Sequence, residues 1–295
     1  MLRRGRRPEP PAAPTFLLGA GAQKAGTTWL YHYLKGSPQF AAGYRKEYHV
    51  FDTLDLPQQT YMRGRILDLA ADAVDSARRG EPADADVLHR MTMYADPSHY
   101  FDFFATLLAR RPETTLTADM TPENGLLSVE RLTMIRAGFA RRGIRTVAVL
   151  LMRDPVERVW SQVRMQHGRT PHRFGEPPEA TLLRVYAEES FDTRTRYDAI
   201  VERLEASFPP EDLAFAFYET LFDRAELHRL CAFLGIAFHD PDLDHRANET
   251  TVPRTTLSPD TIRVVAEHYR DVYEFVASRF GVDLRRLWPH SAHVL

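Results

Sequence analysis

Lys24, Thr27 and Thr28 stand in a stretch, Thr15 to Lys35 (TFLLGAGAQKAGTTWLYHYLK), whose residue types suit anion binding. Gly19, Gly21 and Gly26 let backbone N–H groups converge without Cβ clashes. Lys24 places a mobile positive charge over that loop, and the two threonines add hydroxyl donors. The guest for such a set is a phosphate or a sulfate. To work as a cradle, the loop must be held between a strand and a helix start, because the unpaired amides and the positive dipole end of the helix complete it. The sequence offers both. Phe16-Leu17-Leu18 reads as a short buried strand, and Thr27-Thr28 opens an apolar segment with helical spacing through Trp29, Leu30, Tyr31, Tyr33 and Leu34. The competing interpretation is an ordinary strand–turn–helix with a solvated lysine.

Spacing decides which kind of anion loop this is. A Walker A loop reads G-x-x-x-x-G-K-[ST]. Gly21 and Gly26 have its interval, but Thr27 stands where the lysine belongs, and the lysine lies inside the loop at position 24. A dinucleotide fingerprint G-x-G-x-x-G fails as well, since Lys24 stands where the third glycine belongs. The run Gln23-Lys24-Ala25-Gly26-Thr27-Thr28-Trp29 resembles the 5′-phosphosulfate loop of sulfotransferases that use 3′-phosphoadenosine 5′-phosphosulfate (PAPS). That resemblance implies that all seven residues belong to the donor site.

A second motif lies far along the chain. Thr146 to Met152 is an apolar, β-branched run of the kind found in central parallel strands, and Arg153-Asp154-Pro155 ends it before a helical segment from Val156 to His167. The whole resembles the 3′-phosphate motif of the same family, which implies that Arg153 and Ser161, eight residues apart, hold the 3′-phosphate. Arginine suits that task because its planar donors engage two oxygens at once. Between the two motifs, Lys46-Glu47-Tyr48-His49-Val50-Phe51-Asp52 resembles the K-E-x-H-F-F-D segment of heparan sulfate-type sulfotransferases. The resemblance makes Glu47 the catalytic base, and a carboxylate in a cleft can take the proton of an attacking hydroxyl or amine. Alternatives are a carboxylate merely paired with Lys46 or Arg45, and His49 as the base or as a support for the loop. Asp119-Met120-Thr121-Pro122 resembles a stretch that carries an active-site lysine in the family, with Met120 in its place. Arg254, in a late polar segment, matches a region that closes over the donor.

The 295 residues suffice for one large α/β domain, and a 44% hydrophobic content supplies its core. Residues 1–14, basic and then proline-rich, read as a disordered tail, and residues 15–295 as a single sulfotransferase domain. The expected architecture is three-layer α/β/α with a central parallel sheet, the P-loop kinase-like sulfotransferase fold. A net charge of −2 gives no reason to expect nucleic acid as a partner. The one cysteine, Cys231, reads as a small core residue and suits a reducing compartment. No apolar run has the length of a signal peptide or membrane anchor, so a cytoplasmic location is expected. The expected donor is PAPS, with PAP as product and no metal, since no clear metal-ligand cluster is visible. The acceptor would be a saccharide or a small natural product. Rival readings are a P-loop-type kinase and a non-catalytic nucleotide-binding module. Elsewhere, helices are expected over Tyr61 to Arg79, around His99 to Leu108, over Val129 to Arg142, mostly over Ala180 to Phe208, and as one closing helix over Pro259 to Phe280. Strands are expected at Pro38 to Tyr44, Thr114 to Thr117 and Leu213 to Phe217. Arg169, His172 and Arg173 make the 168–178 loop basic, as an anionic acceptor's entrance or a solvated lid.

Overall fold

The structure, a computed structural model, describes residues 13–170, 174–242 and 256–295. Five strands form one sheet: β1 (Thr15–Gly19), β2 (Phe40–Ala41), β3 (Leu116–Asp119), β4 (Arg145–Met152) and β5 (Leu213–Phe217). Their order is β2-β3-β1-β4-β5, and every neighbouring pair is parallel. All residues of β1 are buried, as a strand covered on both faces requires. Helices cover both faces, giving the expected α/β/α layers. The chain first lays β2 and β3 on one side of β1 and then crosses to β4 and β5 on the other, so the strand order reverses at β1. Crevices of this kind, at the carboxyl ends of parallel strands, are where α/β sheets take ligands.

The first helix, α1 (Thr27–Lys35), follows the glycine loop directly. Three helices follow: α2 (Phe51–Asp55), α3 (Thr60–Arg78), which meets the helix expected over Tyr61 to Arg79, and α4 (Ala85–Ala95). The aromatic helix α5 (Ser98–Ala109) and α6 (Val129–Ala140) pack on β1. Phe16 stacks on Phe139 at 4.0 Å and meets Phe104 edge-on at 4.8 Å, so the aromatic stripe of α5 is core. Helix α7 (Pro155–Arg169) starts at the end of β4, with Pro155 in its first turn.

The segment expected to be mostly helical over 180–208 is broken into α8 (Pro178–Val185), α9 (Glu189–Asp192) and α10 (Tyr197–Ser207). The break has a chemical cause. Arg158, buried completely in α7, donates to the Phe191 carbonyl at 2.9 Å and to the Thr195 hydroxyl at 2.8 Å, as well as to Gln162 Oε1 at 2.8 Å. Thr195 also turns its hydroxyl onto the Phe191 carbonyl. Side chains thus occupy the carbonyl that a continuous helix would give to an amide. The closing helix is likewise two, α12 (Pro259–His268) and α13 (Arg270–Phe280), after α11 (Arg224–Leu234). Tyr269 at their junction is buried and donates its hydroxyl to the Tyr186 carbonyl at 2.6 Å.

After the short helix α14 (Leu284–Leu287), Trp288 is fully buried and donates its indole N–H to Glu219 Oε2 at 2.9 Å. Glu219 accepts the Asp154 amide at 3.2 Å, and Tyr273 donates to Asp154 at 2.8 Å. Asp154 in turn caps α7 through the Val156 amide at 2.9 Å. The C-terminal segment therefore braces the turn that carries Arg153. Trp288→Ala is expected to cost about 3–5 kcal/mol of stability, through a large cavity and an orphaned carboxylate. Urea unfolding measures it, and a loss below about 1 kcal/mol would show that the brace is dispensable.

Candidate active site

The loop after β1 stays attached to β4. The Ala20 and Ala22 amides donate to the Val149 and Leu151 carbonyls at 2.9 and 2.7 Å, and the Leu151 amide returns a bond to Gly21 at 2.9 Å. Beyond this point the chain must turn sharply. Lys24 takes φ +70°, a left-handed conformation that costs energy for a residue with a Cβ. Gly26, the N-cap of α1, has φ +94°, and a Cβ there would sit 2.8 Å from Leu221 Cδ2. Gly26 makes no side-chain cap, which leaves the first-turn amides of α1 without a side-chain acceptor from this residue.

Arg153 leaves the end of β4 and reaches this loop. Its Nη1 donates to the Lys24 carbonyl at 3.2 Å, its Nη2 pairs with Glu157 at 2.9 Å, and its guanidinium lies 4.5 Å from the Tyr218 ring centre. Arg153 Nε and Gln23 Oε1 are buried without hydrogen-bond partners. Ser161 is buried about two turns along α7 on the Arg153–Glu157 face. Ala25 is fully buried beneath the loop, and Trp29 stacks with Tyr33 at 5.7 Å and meets Phe222 edge-on at 4.9 Å. Lys24 is surrounded by like charge. Burial first, then Arg169, Arg153, Arg164 and Lys46, bring its pKa down to about 8.

Glu47 sits beside the same loop. Lys46 Nζ is 2.7 Å from Glu47 Oε1, 2.7 Å from the Thr28 hydroxyl and 3.2 Å from that of Thr27. His49 Nε2 is 3.5 Å from Glu47 Oε2, and its Nδ1 is 2.7 Å from the fully buried Asp52. Burial works to raise the Glu47 pKa, but the His49 hydrogen bond and the charge and hydrogen bond of Lys46 hold it down at about 2. Burial also works against a charged His49 ring. Its hydrogen bonds to Asp52 and Glu47, with the charges of Asp52 and Glu123, push it up to about 10 nonetheless. His49 is thus a cation near neutral pH, which suits support of Glu47 and not proton abstraction.

The loop carrying these groups is held from β3. Asp119 accepts from the Thr121 hydroxyl at 2.6 Å, the Thr121 amide at 3.0 Å and the Tyr100 hydroxyl at 2.9 Å. Thr121 Oγ1 accepts the Tyr48 and His49 amides at 3.0 and 3.2 Å, and the Met120 amide donates to the Lys46 carbonyl at 2.9 Å. Met120, where the resemblance looks for a lysine, is buried and packs close to Gly19. His49, Asp52 and Glu123 bring ligand atoms within 4.8 Å of one another, a grouping the sequence did not reveal. Glu123 of this group also pairs with Arg194 at 3.0 Å.

Contacts thus tie the loop Gln23, Lys24, Ala25, Gly26, Thr27, Thr28 and Trp29 to Arg153, through the Lys24 carbonyl, and to Glu47, through Lys46 on Thr27 and Thr28. Arg254, His172 and Arg173 lie outside the described residues. Lys46 appears in the sequence only as an ion-pair partner of Glu47. Its contact with Thr27 and Thr28, 18 and 19 residues away, had no sequence signal.

A family model described as the sulfotransferase family matches residues 14–240. The chain belongs to that family. The match spans both anion motifs and the Glu47 segment of this sulfotransferase. No curated protein matches it in sequence. Among solved structures it is similar to a sulfotransferase from Alicyclobacillus acidocaldarius, with a TM-score of 0.57 and 18% identity over 94% of this chain and 99% of that one. At that identity the likeness is one of fold. A sulfotransferase domain from the curacin biosynthetic pathway matches with a TM-score of 0.46, 18% identity, and coverage of 86% and 97%. A sulfotransferase domain from the Synechococcus PCC 7002 olefin synthase gives 0.44 and 18%, with coverage of 90% and 98%. Among the described residues, no helix of the sulfotransferase is long and apolar enough to cross a membrane.

Proposed function

We propose that this sulfotransferase takes its sulfuryl group from PAPS and passes it to a hydroxyl or amine of a saccharide or small natural-product acceptor. One observation carries the reading: Arg153 and the Lys24 loop, from opposite ends of the motif-bearing sequence, share a hydrogen bond in one crevice. Two anion-binding groups so placed suit the two charged ends of one nucleotide. The residues present fit that ligand. Arg153 Nε and Gln23 Oε1 are buried with capacity to spare, and Gly26 admits backbone approach where a side chain would not fit.

The donor, when bound, supplies an activated sulfuryl group. The amides and hydroxyls of Thr27 and Thr28 hold the 5′-phosphate end, Arg153 and Ser161 the 3′-phosphate, and Trp29, stacked on Tyr33, steadies the start of α1 beneath the donor. Arg254 would add charge near the 3′-phosphate. Glu47 accepts the acceptor's proton as the oxygen or nitrogen attacks sulfur. Lys24 neutralises charge accumulating on the departing phosphate oxygen. Transfer thus rests on alignment and charge stabilisation, with no step that calls for a metal in this scheme. Incubation with labelled PAPS and a panel of saccharides and small hydroxylated compounds, with product masses read directly, tests the reading. Absence of both PAP binding and label transfer would overturn it.

The depressed pKa of Lys24 gives a second test. In the empty pocket the ammonium is lost as pH rises through about 8. A bound anion favours the charged form, so PAP affinity falls above that pH. Calorimetric titration from about pH 7 to about pH 9 should show the fall, and Lys24→Met should flatten it.

A further inference from the structure

Lys46 is placed to do more than pair with Glu47. Its ammonium has three oxygen neighbours at one point: Glu47 Oε1 and Thr28 Oγ1, both at 2.7 Å, and Thr27 Oγ1 at 3.2 Å. Two of these belong to the loop that would hold the phosphosulfate, and the third is the base. The side chain is largely buried, at 17% exposed, so it has little other solvation. Its backbone is fixed by the bond from the Met120 amide. Met120, where the resemblance looks for a lysine, is buried and uncharged, which leaves Lys46 as the lysine at this edge among the described residues. An ammonium has no directional preference among its donors and can exchange one oxygen for another by turning about its stem.

We propose that Lys46 is a catalytic cation that pairs with Glu47 in the empty site and turns onto the sulfuryl oxygens when the donor binds. This rests on the PAPS reading above. The turn strips the base of its closer cation, at 2.7 Å, at the moment when the base is needed. Glu47 then takes the proton from the acceptor O–H or N–H, and the acceptor atom forms its bond to sulfur. The bond from sulfur to the 5′-phosphate oxygen breaks, and its electron pair stays on that oxygen, facing Lys24. Lys46 meanwhile offsets negative charge on the three sulfuryl oxygens. The arrangement also protects the site before the donor arrives, because a carboxylate tied to an ammonium is a poor base toward solvent or a stray hydroxyl.

The charged groups facing the pair are His49, with Asp52 and Glu123 behind it, and Lys24 across the loop. Of these, His49 stays with Glu47 when Lys46 leaves, through the contact at 3.5 Å. Glu47 thus remains oriented after the exchange.

The test compares native protein, Lys46→Met and Lys46→Arg. Methionine keeps the length of the stem and removes the charge. It should lower kcat by about a hundredfold or more, while PAP affinity stays within about threefold because PAP lacks the sulfuryl group. The acid limb of the kcat/KM profile should move to higher pH, since Glu47 loses a cation that holds its pKa down. Arginine should restore part of the rate. A kcat within about fivefold of native in Lys46→Met overturns the proposal, as does a loss of PAP affinity matching the loss of rate, which would mark Lys46 as a support for the loop. If native protein neither binds PAP nor transfers from PAPS, the PAPS reading fails and Lys46 falls with it. Native transfer with an indifferent Lys46 variant removes Lys46 alone.

Discussion

Glu47→Gln should lower kcat by about 10²–10⁴-fold and leave PAP binding near native. Glutamine has the same shape but a single acceptor oxygen, so it can keep the 2.7 Å contact with Lys46 while its amide N–H replaces the oxygen that faces His49 at 3.5 Å. What it loses is the capacity to take a proton. The carboxylate is ionised in the empty site down to about pH 2, so at neutral pH it is always in the form that abstracts. In the proposed mechanism the same low pKa makes it a weak base until Lys46 turns onto the donor. Paired measurements, turnover with labelled donor and calorimetry with PAP, separate the two effects. Near-native turnover would remove Glu47 as the base.

The second large effect is expected at Arg153. Its guanidinium is held ready by Glu157, the Lys24 carbonyl and the Tyr218 ring. A fixed fork spends little entropy on binding, so its removal should cost about 2–5 kcal/mol of PAP affinity. Adenosine 5′-phosphosulfate lacks the 3′-phosphate and should lose far less. Competition binding of the two nucleotides to Arg153→Ala reads the difference directly. Equal losses for both would mean that Arg153 holds the loop and not the 3′-phosphate. Glu157, left by its partner, retains His290 at 3.6 Å, which limits collateral damage to α7.

Much of the fold was legible because its signals are local. The buried runs before Gly19 and before Arg153 are continuous and apolar, as strands covered on both faces must be, and they became β1 and β4. Leu213–Phe217 was found in the same way. Gly235 ends α11 in the left-handed conformation that glycine permits. The breaks in the helical segments were not legible. They depend on Arg158 and Tyr269 reaching backbone carbonyls distant in sequence, and no propensity encodes such a partner. Residue types marked the loop as an anion cradle, and the resemblance singled out Arg153 and Glu47, which the structure brings near that loop. The meeting of Lys46 with Thr27 and Thr28 required the chain to return from β2 across the start of α1, a tertiary fact. The Asp119–Thr121 support was equally hidden, since a buried carboxylate accepting hydroxyls looks in sequence like any strand-end aspartate.

The fully interior guanidinium of Arg158 has a mechanical consequence for α7. Its three acceptors, a hydroxyl, an amide oxygen and a carbonyl, are fixed in direction. Rolling the helix by one residue, about 100°, would strand a full positive charge among hydrocarbon. Sliding it would do the same. The azimuth of α7 is therefore locked, and with it the side of the helix that carries Glu157 and Ser161. A neutral substitute such as Met would free that rotation, so this sulfotransferase would keep its secondary structure while blurring the spacing between its two anion grips.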